Sequence, residues 1–275
     1  MTAEVMLAQR VRVASRRLGG AGTVSPKPEA ERLAAHALGC TWSQLWSRLR
    51  EPVTRDVSER FDALVARRAH GEPLAYVLGS AGFYGLELAV GPGVLVPRPE
   101  TEVVVDVALE LMPDDAPVVV DVGTGSGAIA LSIAAMRPDA FVVGTDTSDV
   151  ALGYARRNGH GVRWVRGDLL RPLAARGAVD LIVSNPPYVA IGERVSADVA
   201  AEPPEALYAG PTGDEVLLRL VRDAPSVLAS GGSLVLEVGT PEQANSVAAA
   251  LDCWARWGVR EDLTGRPRVV WATRA

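Results

Sequence analysis

A chain of 275 residues with 48% hydrophobic side chains is long enough for one large domain or two modest ones. Its net charge of −5 is unevenly spread, because residues 1–70 carry 12 Lys and Arg against 7 Asp and Glu, whereas the rest carries 16 against 26, a net charge of −10. Two cysteines are too few for a disulfide framework or a cysteine metal centre, so we expect no bound metal. The sequence has neither a signal-peptide core nor an apolar run of about 18 residues, so we expect a soluble, cytoplasmic protein without membrane contact.

The first quarter of the chain has the periodicity of helices. Apolar residues recur at helical spacing in three segments, residues 4–18, 28–38 and 57–69. These segments predict a small helical bundle over residues 1–75. Its basic charge would suit an acidic or anionic partner, although a solvated helix surface explains Arg16, Arg17, Arg67 and Arg68 equally well.

The remaining chain predicts a connector followed by an α/β domain. Apolar residues alternate with glycines between residues 76 and 96, which is typical of a strand pair, so residues 76–98 are interpreted as a β-hairpin connector. From Pro117 onward strand-like and helix-like segments alternate, and that order predicts a mostly parallel sheet with helices on both faces. Two strand-like runs within residues 257–273 predict an antiparallel last strand. The predicted α/β domain spans residues 99–275.

The first strand of this sheet leads into a glycine-rich loop, DVGTGSGAIA. Gly123, Gly125 and Gly127 allow the backbone to turn tightly and to approach a ligand, and Asp121 stands at the end of the strand. With Ala128 the spacing also fits the dinucleotide-binding pattern, so NAD is a rival ligand. Asp121 would repel a pyrophosphate but attract a cationic amino-acid moiety.

Two further carboxylates end the next two strands. Asp146 can hold a ribose diol, and Asp168 suits an adenine amine, with Leu169 packing on the ring. Each Asp alone is equally well explained as a helix cap or turn residue. Together with the glycine loop, the three carboxylates resemble the S-adenosylmethionine site of class I methyltransferases.

The fourth strand ends in Asn185, Pro186, Pro187 and Tyr188. Each proline lacks an N–H and fixes φ near about −65°, so the turn is rigid and its carbonyls have no helical partner. The Asn185 carboxamide and the Pro186 carbonyl could together accept two hydrogen bonds from a planar –NH2 group, against Tyr188 as a flat wall. An ordinary strand-ending turn is the alternative.

Further motifs narrow the resemblance. NPPY is shared by methyltransferases that act on adenine in DNA and on glutamine in proteins, but GEPLAYVLG, VLVPRPETE, EPPEAL and DLTGRPRVV resemble the release factor glutamine methyltransferases, the HemK/PrmC type. This resemblance covers nearly the whole chain. It implies a Rossmann-like class I methyltransferase sheet with an N-terminal helical substrate-docking domain, and S-adenosyl-L-methionine as cofactor. The implied reaction is methylation of the glutamine in the Gly-Gly-Gln motif of class I peptide chain release factors, in translation termination.

The resemblance also implies roles for individual residues. Asn185, Pro186, Pro187 and Tyr188 would hold the glutamine and carry the catalysis. Arg98, Glu100 and Thr101 of the RPETE motif would shape the same substrate pocket, unless the prolines beside them merely brace the connector. The implied cofactor-binding residues are Asp121, Gly123, Thr124, Gly125, Ser126, Gly127, Asp146, Asp168, Leu169 and Asn185.

Three alternatives stay open at this point: a DNA adenine methyltransferase, a methyltransferase of a small-molecule amide or amine, and a cofactor-binding scaffold without activity. A DNA enzyme should carry a target-recognition region and a strongly basic face, whereas the chain beyond residue 70 has a net charge of −10. Direct nucleic-acid binding is therefore not expected, and we expect a monomer.

Overall fold

The structure, a computed structural model, describes residues 6–173 and 177–275, which divide into two units. One unit comprises the chain up to Gly79 together with Ser196–Ala201, and the other comprises Ser80–Val195 and Glu202–Ala275. None of the described helices is long and apolar enough to cross a membrane.

The first unit is helical in its described part. Three of its helices coincide with the segments predicted from periodicity, while α3, α5 and α9 were not predicted because each is too short for a helical period to repeat. The helices are α1 (Leu7–Gly20), α2 (Pro26–Leu38), α3 (Trp42–Arg48), α4 (Arg55–Ala69), α5 (Leu74–Leu78) and α9 (Ala197–Ala200). Their apolar faces enclose a core that includes Leu18, Leu33, Leu45 and Phe61.

Local capping explains how the short helix α3 forms. The Thr41 hydroxyl accepts a hydrogen bond from the Gln44 N–H at 3.2 Å, and the Gln44 side-chain oxygen accepts one from the Thr41 N–H at 2.9 Å. This reciprocal capping box satisfies two backbone donors that a helix start leaves unpaired.

A buried ion cluster holds α4 and α9 within the first unit. Arg68 is 4% exposed; its Nε donates to Glu29 at 2.6 Å, and its two Nη atoms donate to the two carboxylate oxygens of Asp198 at 2.8 Å each. The interpretation of Arg68 as part of a solvated helix surface is therefore wrong. Its fork of donors matches two carboxylates from segments far apart in sequence, which periodicity alone does not reveal.

The second unit begins with an antiparallel hairpin, β1 (Ser80–Phe83) and β2 (Leu86–Ala89), followed by a 3₁₀ turn (Pro99–Thr101) and α6 (Glu102–Leu111). Seven strands then form the main sheet: β3 (Val118–Val122), β4 (Phe141–Asp146), β5 (Val162–Arg166), β6 (Val179–Ser184), β9 (Leu228–Glu237), β10 (Arg256–Glu261) and β11 (Pro267–Thr273). The intervening elements are α7 (Ala128–Met136), α8 (Asp149–Asn158), the short pair β7 (Val189–Ala190) and β8 (Tyr208–Gly210), α10 (Pro204–Leu207), α11 (Glu215–Asp223), a second 3₁₀ turn (Ala224–Ser226) and α12 (Pro241–Ala249).

The strand order is β10-β11-β9-β6-β3-β4-β5. All pairings between β5 and β9 are parallel, whereas β11 is antiparallel to both β9 and β10, so the predicted sheet with an antiparallel last strand is confirmed. Alternate residues face opposite sides: Val119 and Leu181 pack with α6 and α7, while Val120 and Ile182 pack with α11 and α12. Helices therefore cover both faces, as the sequence order predicts.

The position of β3 determines where a ligand can bind. Its neighbours are β4, which follows it along the chain, and β6, which the chain reaches only after β5, so the direction in which strands are added reverses at β3. In open α/β sheets the crevice beyond the carboxyl ends of such strands is the usual ligand site.

Replacing Arg68 with Met should lower the free energy of unfolding by about 1–3 kcal/mol, because the half-buried Glu29 carboxylate loses its charged hydrogen-bond donor. Denaturant titration measures this loss. Arg55→Met is the matched control: Arg55 pairs with Glu59, but the two side chains are 92% and 64% exposed, so its effect should stay below about 1 kcal/mol. Equal effects of the two substitutions would contradict the assignment of Arg68 as a buried structural cation.

Candidate active site

A cavity of about 280 Å³ lies at the carboxyl ends of the central strands. It brings together most of the residues that the sequence singled out: Thr101, Gly123, Thr124, Gly125, Ser126, Asp146, Asp168, Leu169, Asn185 and Pro187. The other residues of the predicted site are not among the lining residues, although most of them directly adjoin a lining residue in the sequence: Arg98, Glu100, Asp121, Gly127, Pro186 and Tyr188.

Hydrogen bonds between strand ends shape the glycine loop. The N–H groups of Gly123 and Thr124 both donate to the Thr145 carbonyl, at 2.8 and 2.9 Å, and the Ser184 hydroxyl donates to the Val122 carbonyl at 2.7 Å. The ends of β3, β4 and β6 are thereby tied to one another. The loop that leaves β3 must start at this junction, which places it over the crevice.

Gly127 serves packing in this loop. Its φ is +85°, and a Cβ there would lie 2.8 Å from the Trp164 ring and 3.3 Å from the Ala155 Cβ. Only glycine lets α7 start this close to β5 and α8. The role of Gly127 is therefore to set the direction of α7, while Gly123 and Gly125 border the cavity itself.

Asp121 supports the loop from beneath. It is fully buried, and its Oδ2 accepts hydrogen bonds from the Thr124 hydroxyl at 2.6 Å and from the Ala130 N–H at 3.1 Å. Its Oδ1 is buried and has no hydrogen-bond partner among the described residues. Burial raises the pKa of this carboxyl to about 7, against the lowering effect of its two donors. Direct contact of Asp121 with a ligand, as the sequence suggests, stays a prediction.

Asp146 lies in the cavity wall and is held at both oxygens. Oδ2 accepts from the Gly125 N–H and Oδ1 from the Ser148 N–H, each at 2.9 Å. Burial raises its pKa, and the nearby charge of Glu205 acts in the same direction. Because each carboxylate oxygen has a second lone pair, the fixed group can still accept from two ligand hydroxyls.

The Asp168 carboxylate is oriented by two arginines that sequence reasoning missed. Arg219 from α11 and Arg171 both donate to its Oδ2, at 2.9 and 3.1 Å. Arg219 itself lines the cavity, yet it lies 51 residues further along the chain, and no local pattern links it to Asp168. The next residue, Leu169, has a φ of +50°, an uncommon conformation for a branched side chain that turns the backbone at the cavity wall.

The NPPY turn meets the RPETE motif at the cavity. Asn185 Nδ2 donates to the Thr101 hydroxyl oxygen at 3.1 Å, and both residues line the cavity. With its amide nitrogen bound in this way, Asn185 has its oxygen as the remaining acceptor. The two motifs are separated by 84 residues, and only the fold joins them.

Tyr188 packs behind the turn. Its hydroxyl donates to Glu237 at 3.3 Å, and its ring lies so close to Gly239 that a Cβ there would approach to 2.7 Å. The Gln243 side chain fixes its backbone by donating to the Tyr188 carbonyl at 2.6 Å. Burial raises the pKa of the phenol, so Tyr188 stays neutral. Tyr188 thus contacts the end of β9, and a flat wall toward a substrate stays a prediction for its ring.

Arg98 acts on the cavity through Glu202. The Arg98 guanidinium is ion-paired with the buried Glu202 carboxylate, which also accepts a hydrogen bond from the Val96 N–H at 2.9 Å. These contacts anchor the start of the EPPEAL motif, and the following residues Pro203 and Glu205 line the cavity. Arg98 is therefore placed to position one wall of the cavity.

The described residues contain no group of His, Cys, Asp and Glu side chains suited to hold a metal ion.

Comparison with solved structures identifies the fold. A methyltransferase from Pyrococcus furiosus is 20% identical, with a TM-score of 0.52 over 76% of this chain and 97% of that chain. A T. thermophilus 16S rRNA N2 G1207 methyltransferase, solved with AdoMet and guanosine, is also 20% identical, with a TM-score of 0.52 over 71% and 50% of the respective chains. The fold is that of the Rossmann-like methyltransferases.

Family models and curated relatives make the assignment more specific. The PrmC N-terminal domain model matches residues 9–79 and the methyltransferase small domain model matches residues 101–249. The release factor glutamine methyltransferase of Mycolicibacterium smegmatis is 40% identical over 273 residues, covering 96% of both chains, and that of Deinococcus radiodurans is 42% identical over 271 residues, covering 95% of this chain and 96% of the relative. The protein belongs to the release factor glutamine methyltransferase family. The resemblance inferred from the motifs is confirmed, and NAD loses its support as a rival ligand.

Asp121→Asn should change how stability depends on pH. The pKa of the Asp121 carboxyl is about 3.9 in the unfolded chain and about 7 in the folded protein. Between these two pH values the carboxyl is ionised when unfolded but mostly neutral when folded. The wild type therefore loses stability as pH rises from about 4 through about 7, whereas the Asn variant does not. The free energy of unfolding of the variant should therefore rise relative to that of the wild type by on the order of 1 kcal/mol or more over this pH range, since one pKa unit corresponds to about 1.4 kcal/mol.

Thermal or denaturant unfolding at several pH values measures this gain. Asp139→Asn is a control of opposite sign, because Arg137 lowers the pKa of Asp139 to about 2. The stabilisation from Asp139 is present above about pH 4 and is lost as pH falls towards 2, so this variant should be less stable than wild type at neutral pH. Parallel pH profiles of wild type and Asp121→Asn would show that Asp121 does not titrate in this range.

Proposed function

We propose that this protein transfers a methyl group from S-adenosyl-L-methionine to the side-chain amide nitrogen of the glutamine in the Gly-Gly-Gln motif of class I peptide chain release factors. The observation that carries the proposal is the hydrogen bond between Asn185 and Thr101 in the cavity wall. It joins the turn suited to grip an amide with the motif that distinguishes release factor enzymes from DNA enzymes. The curated relatives carry the corresponding name over nearly the full length of the chain.

The residues present fit the proposed cofactor. Asp146 offers two fixed oxygens to a ribose diol, and Ile129, Leu169 and Val216 give apolar surface for a base. Because both arginines bind Oδ2 of Asp168, its Oδ1 is available for an exocyclic amine. The buried Oδ1 of Asp121, which lacks a partner among the described residues, adds negative potential suited to a cationic amino-acid moiety.

The cofactor, when bound, supplies a methyl group on a positively charged sulfur. A glutamine amide nitrogen is a weak nucleophile, because its lone pair is delocalised into the carbonyl. The protein must therefore act through geometry: the Asn185 Oδ1 and the Pro186 carbonyl accept the two N–H bonds and fix the direction of the nitrogen. The same two acceptors would stabilise the positive charge that develops on this nitrogen when the bound cofactor donates its methyl group and keeps the S–C bonding pair on sulfur. The excess proton on the nitrogen would then pass to solvent water.

The first unit has a surface suited to a protein partner. Trp42 and Trp46 on α3 are 46% and 50% exposed, and their rings meet edge-on with centroids 6.4 Å apart. The Arg32 guanidinium lies 6.0 Å from the Trp42 ring centroid. Exposed Trp and Arg are the residue types most enriched at the centres of protein interfaces. This supports residues 1–75 as a docking domain for an intact release factor, and favours a macromolecular over a small-molecule substrate.

We also propose that the protein acts as a cytoplasmic monomer and does not bind nucleic acid directly. The chain beyond residue 70 has a net charge of −10, which opposes contact with a phosphate backbone.

The decisive test of the proposed function is mass spectrometry of purified release factors after incubation with this protein and S-adenosylmethionine, with adenine-containing oligonucleotides in parallel. Methylation of the oligonucleotides but not of the release factor would overturn the proposed function.

Asp146→Ala should weaken binding of S-adenosylmethionine by about 1.5–3 kcal/mol, because a charged acceptor is removed from the ribose hydroxyls. This corresponds to a roughly 10- to 150-fold higher dissociation constant, measured by titration calorimetry. Asp149→Ala is the control, since Asp149 lies three residues away in an exposed pair with Arg166 and should leave the affinity unchanged. Wild-type affinity in a folded Asp146→Ala protein would remove Asp146 from the cofactor site.

Asn185→Ala should leave cofactor affinity nearly unchanged and slow methyl transfer by about 100-fold or more, because one of the two acceptors for the amide is lost. Single-turnover assays on an intact release factor separate this step from product release. A variant that transfers methyl groups at the wild-type rate would rule out the two-acceptor mechanism.

Replacing Trp42 and Trp46 together with Ser should lower kcat/KM for an intact release factor by about 10-fold or more, because each buried aromatic anchor contributes over about 1 kcal/mol. Cofactor affinity and the slow reaction with a short Gly-Gly-Gln peptide should not change. Val24→Ser provides the control, as Val24 is an isolated apolar side chain that is 97% exposed. An unchanged kcat/KM in the double variant would exclude this surface from docking.

A further inference from the structure

A buried glutamine joins three backbone segments behind the NPPY turn. Gln243, in the first turn of α12, is 8% exposed. Its amide nitrogen donates to the Tyr188 carbonyl at 2.6 Å and to the Gly213 carbonyl at 3.2 Å, and its amide oxygen accepts from the Gly239 N–H at 2.9 Å. Because the amide nitrogen and the amide oxygen both have backbone partners, the side chain is held in one orientation.

The start of α12 does not account for this arrangement. Helices α12 and α3 both follow a Thr cap with a Gln three residues later, which is the pattern of a capping box. In α3 the Gln44 side-chain oxygen accepts from the N–H of the capping residue Thr41. In α12 the Thr240 hydroxyl accepts from the Gln243 N–H at 3.2 Å, but the Gln243 side-chain oxygen accepts from Gly239. The side chain thus serves the neighbouring segments.

Two glycines let these segments close tightly on Tyr188. Gly213 has a φ of +87°, and a Cβ there would lie 2.6 Å from the Tyr188 carbonyl oxygen. A Cβ on Gly239 would lie 2.7 Å from the Tyr188 ring. The main chain and the ring of Tyr188 are therefore enclosed from two sides, and Gln243 bonds to both enclosing segments as well as to Tyr188 itself.

The NPPY turn depends on anchors at its two ends. Its two prolines have no N–H, so they cannot be held as hydrogen-bond donors. At the start of the turn, Asn185 is bound to the RPETE motif through its side-chain nitrogen. At the other end, the Tyr188 carbonyl is bound by Gln243. The Pro186 carbonyl lies between these anchors, so its direction depends on both.

We propose that Gln243 is a positioning residue for methyl transfer: by holding the Tyr188 carbonyl, it fixes the direction of the Pro186 carbonyl toward the glutamine amide. The inference rests on the proposed function, in which that carbonyl is the second acceptor for the amide. Gln243 is not among the described residues that line the cavity, so it acts through the turn. Loss of its hydrogen bonds should slow the transfer step without removing a group from the cofactor site.

Gln243→Met removes the three side-chain hydrogen bonds and keeps a side chain of similar length. Single-turnover methyl transfer to a saturating release factor should slow by about 10- to 100-fold, because a displacement of an acceptor by about 1 Å has an effect of this size. The dissociation constant of S-adenosylmethionine, measured by calorimetry, should change by less than about 2-fold.

Ser246→Ala is the matched control on the same helix. The Ser246 hydroxyl donates to Asp214 at 2.5 Å, and so ties α12 to the residue that follows Gly213. Asp214 keeps a second donor, the Thr212 hydroxyl, also at 2.5 Å. This variant loosens α12 without touching the NPPY turn, so its transfer rate should equal that of the wild type.

Gln243→Glu provides a readout that a purely structural role would not change. A neutral carboxyl group can donate its proton to the Tyr188 carbonyl and accept from the Gly239 N–H. An ionised carboxylate has no proton to donate and would face the carbonyl oxygens of Tyr188 and Gly213. The variant should therefore position the turn at low pH and lose this ability as pH rises.

The surroundings of residue 243 place this change near neutral pH. The charged groups on the elements around it are Asp214, Glu215, Glu237, Glu242 and Arg268. Four of these five groups are acidic, and they add to burial in raising the pKa of a carboxyl at this position. The transfer rate of Gln243→Glu, divided by the wild-type rate at the same pH, should fall by about 10-fold or more between about pH 6 and pH 8. At pH 6 this variant should be faster than Gln243→Met.

The outcomes separate the inference from the function on which it rests. A wild-type rate in Gln243→Met, or a rate ratio for Gln243→Glu that does not depend on pH, would overturn the positioning role even if Asn185→Ala is inactive. An equal loss of rate in Ser246→Ala would overturn it too. Absence of methyl transfer in the wild type would instead overturn the proposed function. If circular dichroism shows that Gln243→Met does not fold, the pH dependence of Gln243→Glu decides the question.

Discussion

The site depends on the parallel pairing of β3 with β4 on one side and β6 on the other. This pairing ends three strands at one edge, where Val122 lies opposite both Thr145 and Ser184. The hydrogen bonds from the glycine loop to the Thr145 carbonyl, and from Ser184 to the Val122 carbonyl, then fix the loop over the edge. A glycine loop, a carboxylate and an amide, which come from three separate stretches of sequence, become the walls of one cavity because their strands end together.

Carboxyl groups shielded from water are the electrostatic signature of this cavity and of the residues next to it. Burial raises the pKa of Asp121 and of Glu237 to about 7, and it also raises the pKa of Asp146. Water that would otherwise solvate these carboxylates is excluded, so their interaction with a cation is stronger than at the surface. A cationic methyl donor and a nitrogen that becomes positive in the transition state both suit such an environment. The same carboxylates would disfavour a phosphate-containing ligand.

The walls of the cavity are held by residues that do not line it. Glu202 anchors the EPPEAL segment through Arg98 and the Val96 N–H, and Gln243 fixes the backbone at Tyr188 and at Gly213. In the same way Asp121 supports the glycine loop, and Gly127 sets the start of α7. Several residues that the sequence assigned to ligand contact thus have described contacts that order the groups in front of them. A catalytic turn needs this support, because misplacement of an acceptor by about 1 Å costs a large share of the rate.

The sequence by itself determined the class of fold, the family and most of the cavity wall. Strand and helix periods are local properties, and glycines, prolines and strand-end carboxylates have strong conformational or chemical preferences wherever they occur. The short helices α3 and α5 escaped prediction because neither is long enough to repeat a period. Only the tertiary structure decided that Arg68 is buried between two carboxylates and that β11 inserts between β9 and β10. It also decided that Arg219 lines the cavity, and that Glu202 and Glu237 contact Arg98 and Tyr188 of the predicted site. These features depend on contacts between residues tens of positions apart, and no local pattern of residue types predicts which distant residues will meet.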